Sequence, residues 1–454
     1  MRRAGSLFSG LVCVPPVNAH AKRSSIGFDS PRSLPRDERV DWTVKNFYER
    51  YPYPPPVHDL DSYREQWRDR GRRLAYFHLC WPTRPYTENL SVLVAGCGTS
   101  QAAKYALRWP AASVVGIDFS ATSVRLTNAL KEKYRLDNLE VHQLAIEQVA
   151  DLGMHFDHIV CTGVLHHLQN PNLGLLKLRD ALKPEGAMHL MVYAPYGRAG
   201  VYILQDFFRR LGVNSSNADM DDVLAAIGSL PEAHPLSSLL RAAADSRDQA
   251  ALADALLNPR DRAYAVPEFF DLIHTSRLRF GRWLRQAPYS FDIGLMSRIP
   301  ASFRSAQIPI ENQFAATELF RGTMSRHSAV VFRDDDASRI PPVTFEGDAW
   351  LRYVPIRIPD TICLRDRIPR GMAAILINRT HTHRDICLPL RENELQVFER
   401  IDGRRSIGEL LPASFGHEKA RGLFERLWWH DQVVFDATLS LSTVEQVSVI
   451  EPAS

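Results

Sequence analysis

The chain has 454 residues, enough for two or three domains at roughly 100–200 residues each. Its 45% apolar and 24% charged residues exclude a disordered or disulfide-stapled chain and suit a protein with a sizeable core. With 55 basic against 52 acidic residues, there is no general electrostatic drive toward nucleic acid or an acidic membrane.

No apolar run is long enough for a transmembrane helix, which needs about 20 residues, so no membrane association is expected. Six cysteines (Cys13, Cys80, Cys97, Cys161, Cys363 and Cys387) are scattered without a Cys-x-x-Cys pair. That spacing argues against zinc and for a reducing cytoplasm. At the start, Met1-Arg2-Arg3 precedes a mildly apolar stretch, Leu7 to Val17, broken by Ser9, Gly10, Pro15 and Pro16. A secretory signal is not expected from so weak a run; residues 1–36 read as a disordered tail.

A cap segment, 37–88, follows. It opens on a helix with Val40, Val44 and Phe47 on one face. The stretch Asn46 to Pro56, rich in tyrosine and proline, reads as an extended strap. Next, Ser91–Ala95, Ser113–Ile117, Leu139–Leu144, Phe156–Thr162 and Ala187–Tyr193 read as buried strands. Helical patterns separate them: Gln101–Arg108, a helix capped by Ser120 with Leu126, Leu130 and Tyr134 on one face, and Asn172–Leu182. Strands apolar on both faces and alternating with helices make a doubly wound, mostly parallel α/β sheet.

Residues 200–258, with Val223-Leu224-Ala225-Ala226 and Leu239-Leu240-Ala243, read as a helical insertion. The sheet resumes with helix Pro267–Thr275 and strands Phe280–Leu284 and Ser328–Arg333, so this domain spans 89–336. Asp334–Pro342 reads as a linker. Residues 340–450 show strands Leu351–Ile358 and Met372–Ile377, helix Glu392–Arg400, a turn at Ile401–Arg405, two short helices and strand Gln432–Phe435. That order suits a small α+β domain of winged-helix-like character.

The chemistry concentrates after the first strand, in Ala95-Gly96-Cys97-Gly98-Thr99-Ser100. Glycines here allow a tight turn at the carboxyl edge of the sheet and let a ligand lie against the backbone. Asp118 ends the second strand twenty residues after Gly98, where a carboxylate can accept from both hydroxyls of a ribose. The pair signals a nucleoside-containing ligand without saying which. A dinucleotide is disfavoured, because Gln101 stands at the third glycine of Gly-x-Gly-x-x-Gly. No tyrosine has a lysine four residues on, so the short-chain dehydrogenase pair is missing too.

With Gly163-Val164-Leu165-His166-His167-Leu168 after strand four and Leu182-Lys183-Pro184-Glu185-Gly186 before strand five, residues 90–195 resemble the class I S-adenosylmethionine-dependent methyltransferases. The resemblance implies a Rossmann-like fold, S-adenosyl-L-methionine as cofactor and methyl transfer to an unidentified small molecule or protein. It implies that Ala95, Gly96, Cys97, Gly98 and Gln101 face the cofactor, that Asp118 holds the ribose, and that Phe119, Ala145 and Ile146 flank the adenine. Thr162 and Val164 would line the pocket. Val94 and Ala145 stand where many members carry acids, and Ser100 replaces a common glycine. A degenerate, regulatory cofactor-binding protein is therefore the alternative.

For proton transfer from an acceptor, the candidates are His167 and His166, then Tyr193, with Tyr48, Tyr51 and Tyr53 of the strap as further acceptor-facing groups. The strap and the insertion are expected to shape the acceptor pocket. His381, His383 and Cys387 are expected to form a solvated turn rather than a metal site. Arg404, Arg405, Lys419 and Arg421 lack interleaved aromatics, so nucleic acid is not the expected partner. A homodimer or a protein partner through the C-terminal domain is.

Overall fold

The computed structural model describes residues 36–215, 219–237, 248–303, 308–336 and 341–441. The expected tail before Arg36, the piece Leu239–Ala243 and residues 337–340 of the expected linker lie outside the described residues.

Seven strands build the central sheet: β1 Ser91–Ala95, β2 Ser113–Asp118, β3 Leu139–Gln143, β4 Phe156–Thr162, β5 Leu182–Tyr193, β6 Leu278–Trp283 and β7 Arg326–Arg333. Their order is β3-β2-β1-β4-β5-β7-β6. The first five run parallel, and β7 lies antiparallel to both β5 and β6. The central position of β1 explains its composition. Leu93 and Ala95 join one core cluster while Val92 and Val94 join the other, so both faces of the strand must be apolar.

β5 begins five residues earlier than the sequence pattern suggests. The Lys183-Pro184-Glu185-Gly186 turn is absorbed as an irregularity, with Glu185 at φ 59° and a register shift between Phe156 and His158 on the neighbouring strand.

In the cap segment, α1 (Arg36–Arg50) is followed by α2 (Asp61–Arg68) and α3 (Arg70–Cys80). The strap is therefore shorter than expected. Proline at 52 disfavours helical backbone mainly at the residue before it, so helix persists through Tyr48 and Arg50, and the chain leaves it in a bend at Tyr51, whose N–H still donates to the Phe47 carbonyl at 2.8 Å. Helix α4 (Gln101–Arg108) packs close to β2, because a Cβ at Gly116 would lie 2.7 Å from the Ala102 Cβ. Helix α5 (Ala121–Tyr134) is capped twice. The Ser120 hydroxyl accepts from the Ser123 N–H at 3.2 Å, and the Glu49 carboxylate of α1 accepts from the N–H groups of Ala121 and Thr122 at 2.7 and 3.1 Å. That second cap ties the N-terminal segment to the sheet.

After α6 (Pro171–Ala181), helices α7 (Ala199–Arg210) and α8 (Met220–Gly228) and the helix Gln249–Leu257 form the insertion. Phe47 and Tyr51 pack into the same apolar cluster as its Val201, Phe208 and Leu256, so cap and insertion form one layer.

Beyond the sheet domain, β8 (Val354–Arg357) pairs with β12 (Val433–Asp436), and β9 (Thr361–Leu364), β10 (Ala374–Asn378) and β11 (Leu388–Leu390) form a second small sheet. Helices Glu392–Glu399, Ile407–Leu410 and His417–Trp429 cover a core around Trp350, Phe398, Phe424 and Phe435. The expected strand over Leu351–Ile358 starts only at Val354. Its first residues belong to a helical turn in which Leu351 and Tyr353 N–H groups reach Asp348 and Trp350 carbonyls, both at 3.1 Å.

The C-terminal domain is docked through buried polar groups. Asp431 accepts from Arg282 at 3.2 Å, from the Gln286 and Ala287 N–H groups at 3.3 and 3.1 Å, and contacts His381 Nε2 at 3.0 Å. His381 is consequently buried in an ion-pair network and is not part of a solvated turn. Trp429 packs with Ala287, Ile293 and Ile386 at the same seam. Among the described residues, no helix is long and apolar enough to cross a membrane.

Candidate cofactor and acceptor site

The turn after β1 places Gly96 at φ 68° and Gly98 at φ 54°, conformations that favour glycine. Close approach adds to this. A Cβ on Gly96 would sit 2.3 Å from a Val164 methyl, and one on Gly98 would sit 2.8 Å from Pro54 and 3.0 Å from the Tyr53 carbonyl oxygen. The strap thus rests on the glycine loop, and Thr99 Oγ1 donates to the Pro54 carbonyl at 2.7 Å.

Asp118 sits beneath that loop. One oxygen accepts from the Gly98 N–H at 2.8 Å and the other from the Ser120 N–H at 2.9 Å. A carboxylate offers about four lone-pair sites, so acceptor capacity remains on both oxygens. Burial, helped by the charge of Glu49, pushes this carboxyl up to about 6, against the two backbone hydrogen bonds.

A cavity of about 1070 Å³ opens along this edge. Gly96, Gly98, Gln101, Asp118, Phe119, Ala145, Ile146, Thr162, Val164, His167 and Tyr193 all line it. Gln101 Nε2 donates to Thr162 Oγ1 at 2.6 Å, joining the start of α4 to the end of β4.

Four expected residues do not line the cavity; one of them, Tyr51, is buried with Phe47 against the helices of the insertion. Ala95 and Cys97 are fully buried in the two core clusters on opposite faces of the sheet. His166 is also buried, its ring centroid 4.2 Å from those of His167 and Tyr193, and neither ring nitrogen has a partner. Desolvation, reinforced by His167 and Arg198, holds its pKa well below the usual range, so the ring is neutral. Leu165–His167 is a tight 3-10 turn in which the two rings pack against each other, His166 on the buried side against Tyr193 and His167 on the side of the cavity.

Of the two, His167 lines the cavity. Its Nδ1 lies 2.6 Å from the Arg260 carbonyl oxygen, which can only accept, so Nδ1 carries the proton and Nε2 keeps the lone pair. Tyr48 packs edge-on against both His167 and Phe119, and its hydroxyl donates to Asp254 at 2.8 Å while accepting from Asn258 at 3.0 Å. Burial and nearby Asp254 push the Tyr193 hydroxyl well above its usual range, so it stays a neutral donor.

His166, His167 and Asp261 bring potential metal-ligand atoms within 4.8 Å of one another. Asp261 is already held by Gln205 at 3.0 Å and by the Arg198 guanidinium at 3.5 Å, a cation that opposes a second positive charge there.

Sequence reasoning missed half of the cavity wall: Lys104 and Arg108 of α4, His189 and Met191 of β5, and Arg285 and Arg326 by β6 and β7. One signal was available. Gln101, Lys104 and Arg108 fall at i, i+3 and i+7, a polar stripe on a helix whose Ala102, Ala103, Ala106 and Leu107 are buried. Such a stripe normally faces water; here it faces a cavity.

A family profile described as a methyltransferase domain matches residues 93–188, from β1 to β5. Over these residues the chain carries a methyltransferase domain of the class I S-adenosylmethionine-dependent kind. Over 261 residues it is 30% identical to an uncharacterized protein of Synechococcus, covering 56% of this chain and 60% of that one. It is 32% identical over 124 residues to a trans-aconitate 2-methyltransferase of Deinococcus radiodurans, covering 27% of this chain and 44% of that protein. PKMT2 of Rickettsia typhi shares the fold, with a TM-score of 0.57 at 15% identity over 84% of this chain and 76% of that one.

The family's cofactor is S-adenosylmethionine, and the cradle around Gly96, Gly98 and Asp118 suits it. Only ionised Asp118 accepts from two hydroxyls, and burial raises its pKa to about 6. Affinity for S-adenosylhomocysteine should therefore be flat above that pH and fall about tenfold per unit below it. Calorimetry between pH 8 and pH 5 checks this; an unchanged affinity removes Asp118 from the ribose.

Proposed function

We propose that the protein transfers a methyl group from S-adenosylmethionine to an acceptor held in the same cavity. The carrying observation is continuity: the space beside the glycine loop and Asp118 runs on past Thr162 and Met191 toward β7. At about 1070 Å³ it reaches the upper end of ligand sites, which span about 300–1,000 Å³, and so has room for two molecules.

When bound, the cofactor supplies a methyl activated by a sulfonium. The chain's own task is to align the acceptor and exclude water. Tyr48 and Tyr53 roof the cavity, and Tyr193 presents a neutral hydroxyl. His167 Nε2 is the group able to take a proton from an acceptor hydroxyl or amine. His167→Asn should lower turnover about 100-fold or more with cofactor affinity unchanged. Equal turnover would remove the base role.

The governing experiment supplies methyl-labelled S-adenosylmethionine and a cell extract to the purified protein. Label should pass to an extract component, and calorimetry should show S-adenosylhomocysteine but not NAD binding. Tight cofactor binding with no labelled product across extracts is the result expected of a regulatory protein. Buried free thiols at Cys80, Cys97 and Cys161 support a cytoplasmic setting. A homodimer or protein partner through the C-terminal domain completes the reading, and sedimentation velocity tests it.

A further inference from the structure

Seven lysine or arginine side chains line the cavity (Arg72, Lys104, Arg108, Arg198, Arg260, Arg285, Arg326) against three acids (Asp118, Glu147, Asp360). The chain as a whole is nearly balanced, 55 to 52, so this is a local concentration. The two signs are also separated. Asp118 ends β2 and Glu147 follows β3 at the cofactor end, whereas Lys104, Arg108, Arg285 and Arg326 cluster beyond Gln101 and Thr162.

The fold explains the clustering. Lys104 and Arg108 extend the α4 stripe past Gln101. Arg326 starts β7 directly opposite Tyr193, and Arg285 lies two residues past the end of β6, so both reach the carboxyl edge where the cofactor cradle sits. His189, on the same wall, has its pKa lowered to about 3 by burial and then by Arg108, Arg285 and Arg326 together, which places all three guanidinium charges around one point.

Among the described residues none of the four cations Lys104, Arg108, Arg285 and Arg326 has an acid within ion-pair distance; the carboxylate whose field Arg285 feels, Asp431, is already held by Arg282 and His381. Arg108 lies 4.0 Å over Trp67, 4.2 Å over Tyr105 and 4.5 Å over Tyr76, and donates only to the Tyr63 hydroxyl. Arg285 donates to Thr380 and to the Leu284 carbonyl. The remaining acid on this wall, Asp360, is occupied by Arg72 at 3.1 Å and Arg379 at 2.8 Å. Lys104, Arg108 and Arg285 are half-buried and Arg326 stands exposed at the mouth; gathering like charges in a partly desolvated space without a counter-charge is costly, and such arrangements concentrate where an oppositely charged ligand docks.

We infer that the acceptor is an anion, carrying a carboxylate or phosphate group that docks among Lys104, Arg108, Arg285 and Arg326 at the end of the cavity away from Asp118. This rests on the methyl-transfer reading only in calling the ligand an acceptor. A cationic amine is the acceptor that this wall repels.

The test titrates the full-length protein, saturated with S-adenosylhomocysteine, with citrate, inorganic phosphate and methylammonium in separate calorimetric runs. Citrate or phosphate should bind, and the stronger of the two says which anion the wall prefers; methylammonium should not bind. Lys104→Gln and Arg326→Gln should each weaken the bound anion about tenfold or more, with S-adenosylhomocysteine affinity unchanged. Arg404→Gln, on an exposed turn outside the cavity, should change neither. The inference is overturned if neither anion binds, if wild type and both cavity variants bind alike, or if methylammonium binds as tightly. Failure of S-adenosylhomocysteine itself to bind would instead strike the cofactor assignment.

Discussion

Asp118→Ala should weaken S-adenosylhomocysteine binding about 100-fold or more, with little change in the stability of the empty protein. The first half follows from the two ribose hydroxyls expected on this carboxylate. Hydrogen bonds to a charged partner contribute about 1.5–3 kcal/mol each, so losing two costs about 3–6 kcal/mol. The second half follows from burial. Desolvation already raises this carboxyl to about 6, so the ionised group is held against its own preference and its removal relieves that cost. What remains is the loss of acceptors for the Gly98 and Ser120 N–H groups. Calorimetry for affinity and thermal unfolding for stability separate the two effects. An affinity within a few-fold of wild type would mean that the cofactor lies elsewhere.

Asp431→Ala should destabilise the protein by about 3–5 kcal/mol, the usual cost of removing one partner of a buried pair. Arg282 and Asp431 side chains are 9% and 1% exposed, so deletion strands a guanidinium inside the seam between the two domains. It also unpairs His381 and the N–H groups of Gln286 and Ala287. Burial alone would raise the Asp431 carboxyl; the hydrogen bond and charge of His381, with Arg282 and Arg285, outweigh it and lower it below the ordinary value. A lowered folded pKa means that the stabilisation is present above the unfolded value and is lost as pH falls through the folded one. Glu65→Ala, at an exposed ion pair with Arg68, should cost less than about 1 kcal/mol in the same denaturant titration. A loss at Asp431 no larger than that would show that the seam is not held by this network.

The sheet was legible because burial on both faces leaves a strong trace: Val92 to Ala95 has no polar position to confuse the pattern. The cradle was legible for a related reason, since Gly96, Gly98 and Asp118 lie close in sequence and at ends of adjacent strands. What stayed hidden was built from distant pieces. Nothing near His166 or His167 says which one enters the cavity, because that depends on how a single tight turn meets Arg260 and Tyr193. The cationic wall draws on α4, β5, β6 and β7, and only the sheet register brings Arg326 opposite Tyr193. His381 reads as exposed because its sequence neighbours are polar, while its partner Asp431 is fifty residues away.

The far wall of the cavity comes from the C-terminal domain, through Pro359, Asp360 and Thr380. Chains emerge from the ribosome amino end first and their domains fold in that order. Every residue expected at the cofactor precedes Tyr193 in the chain, whereas the compartment beside it lacks a side until Thr380 follows. The two ends of the cavity are therefore completed at different lengths of chain.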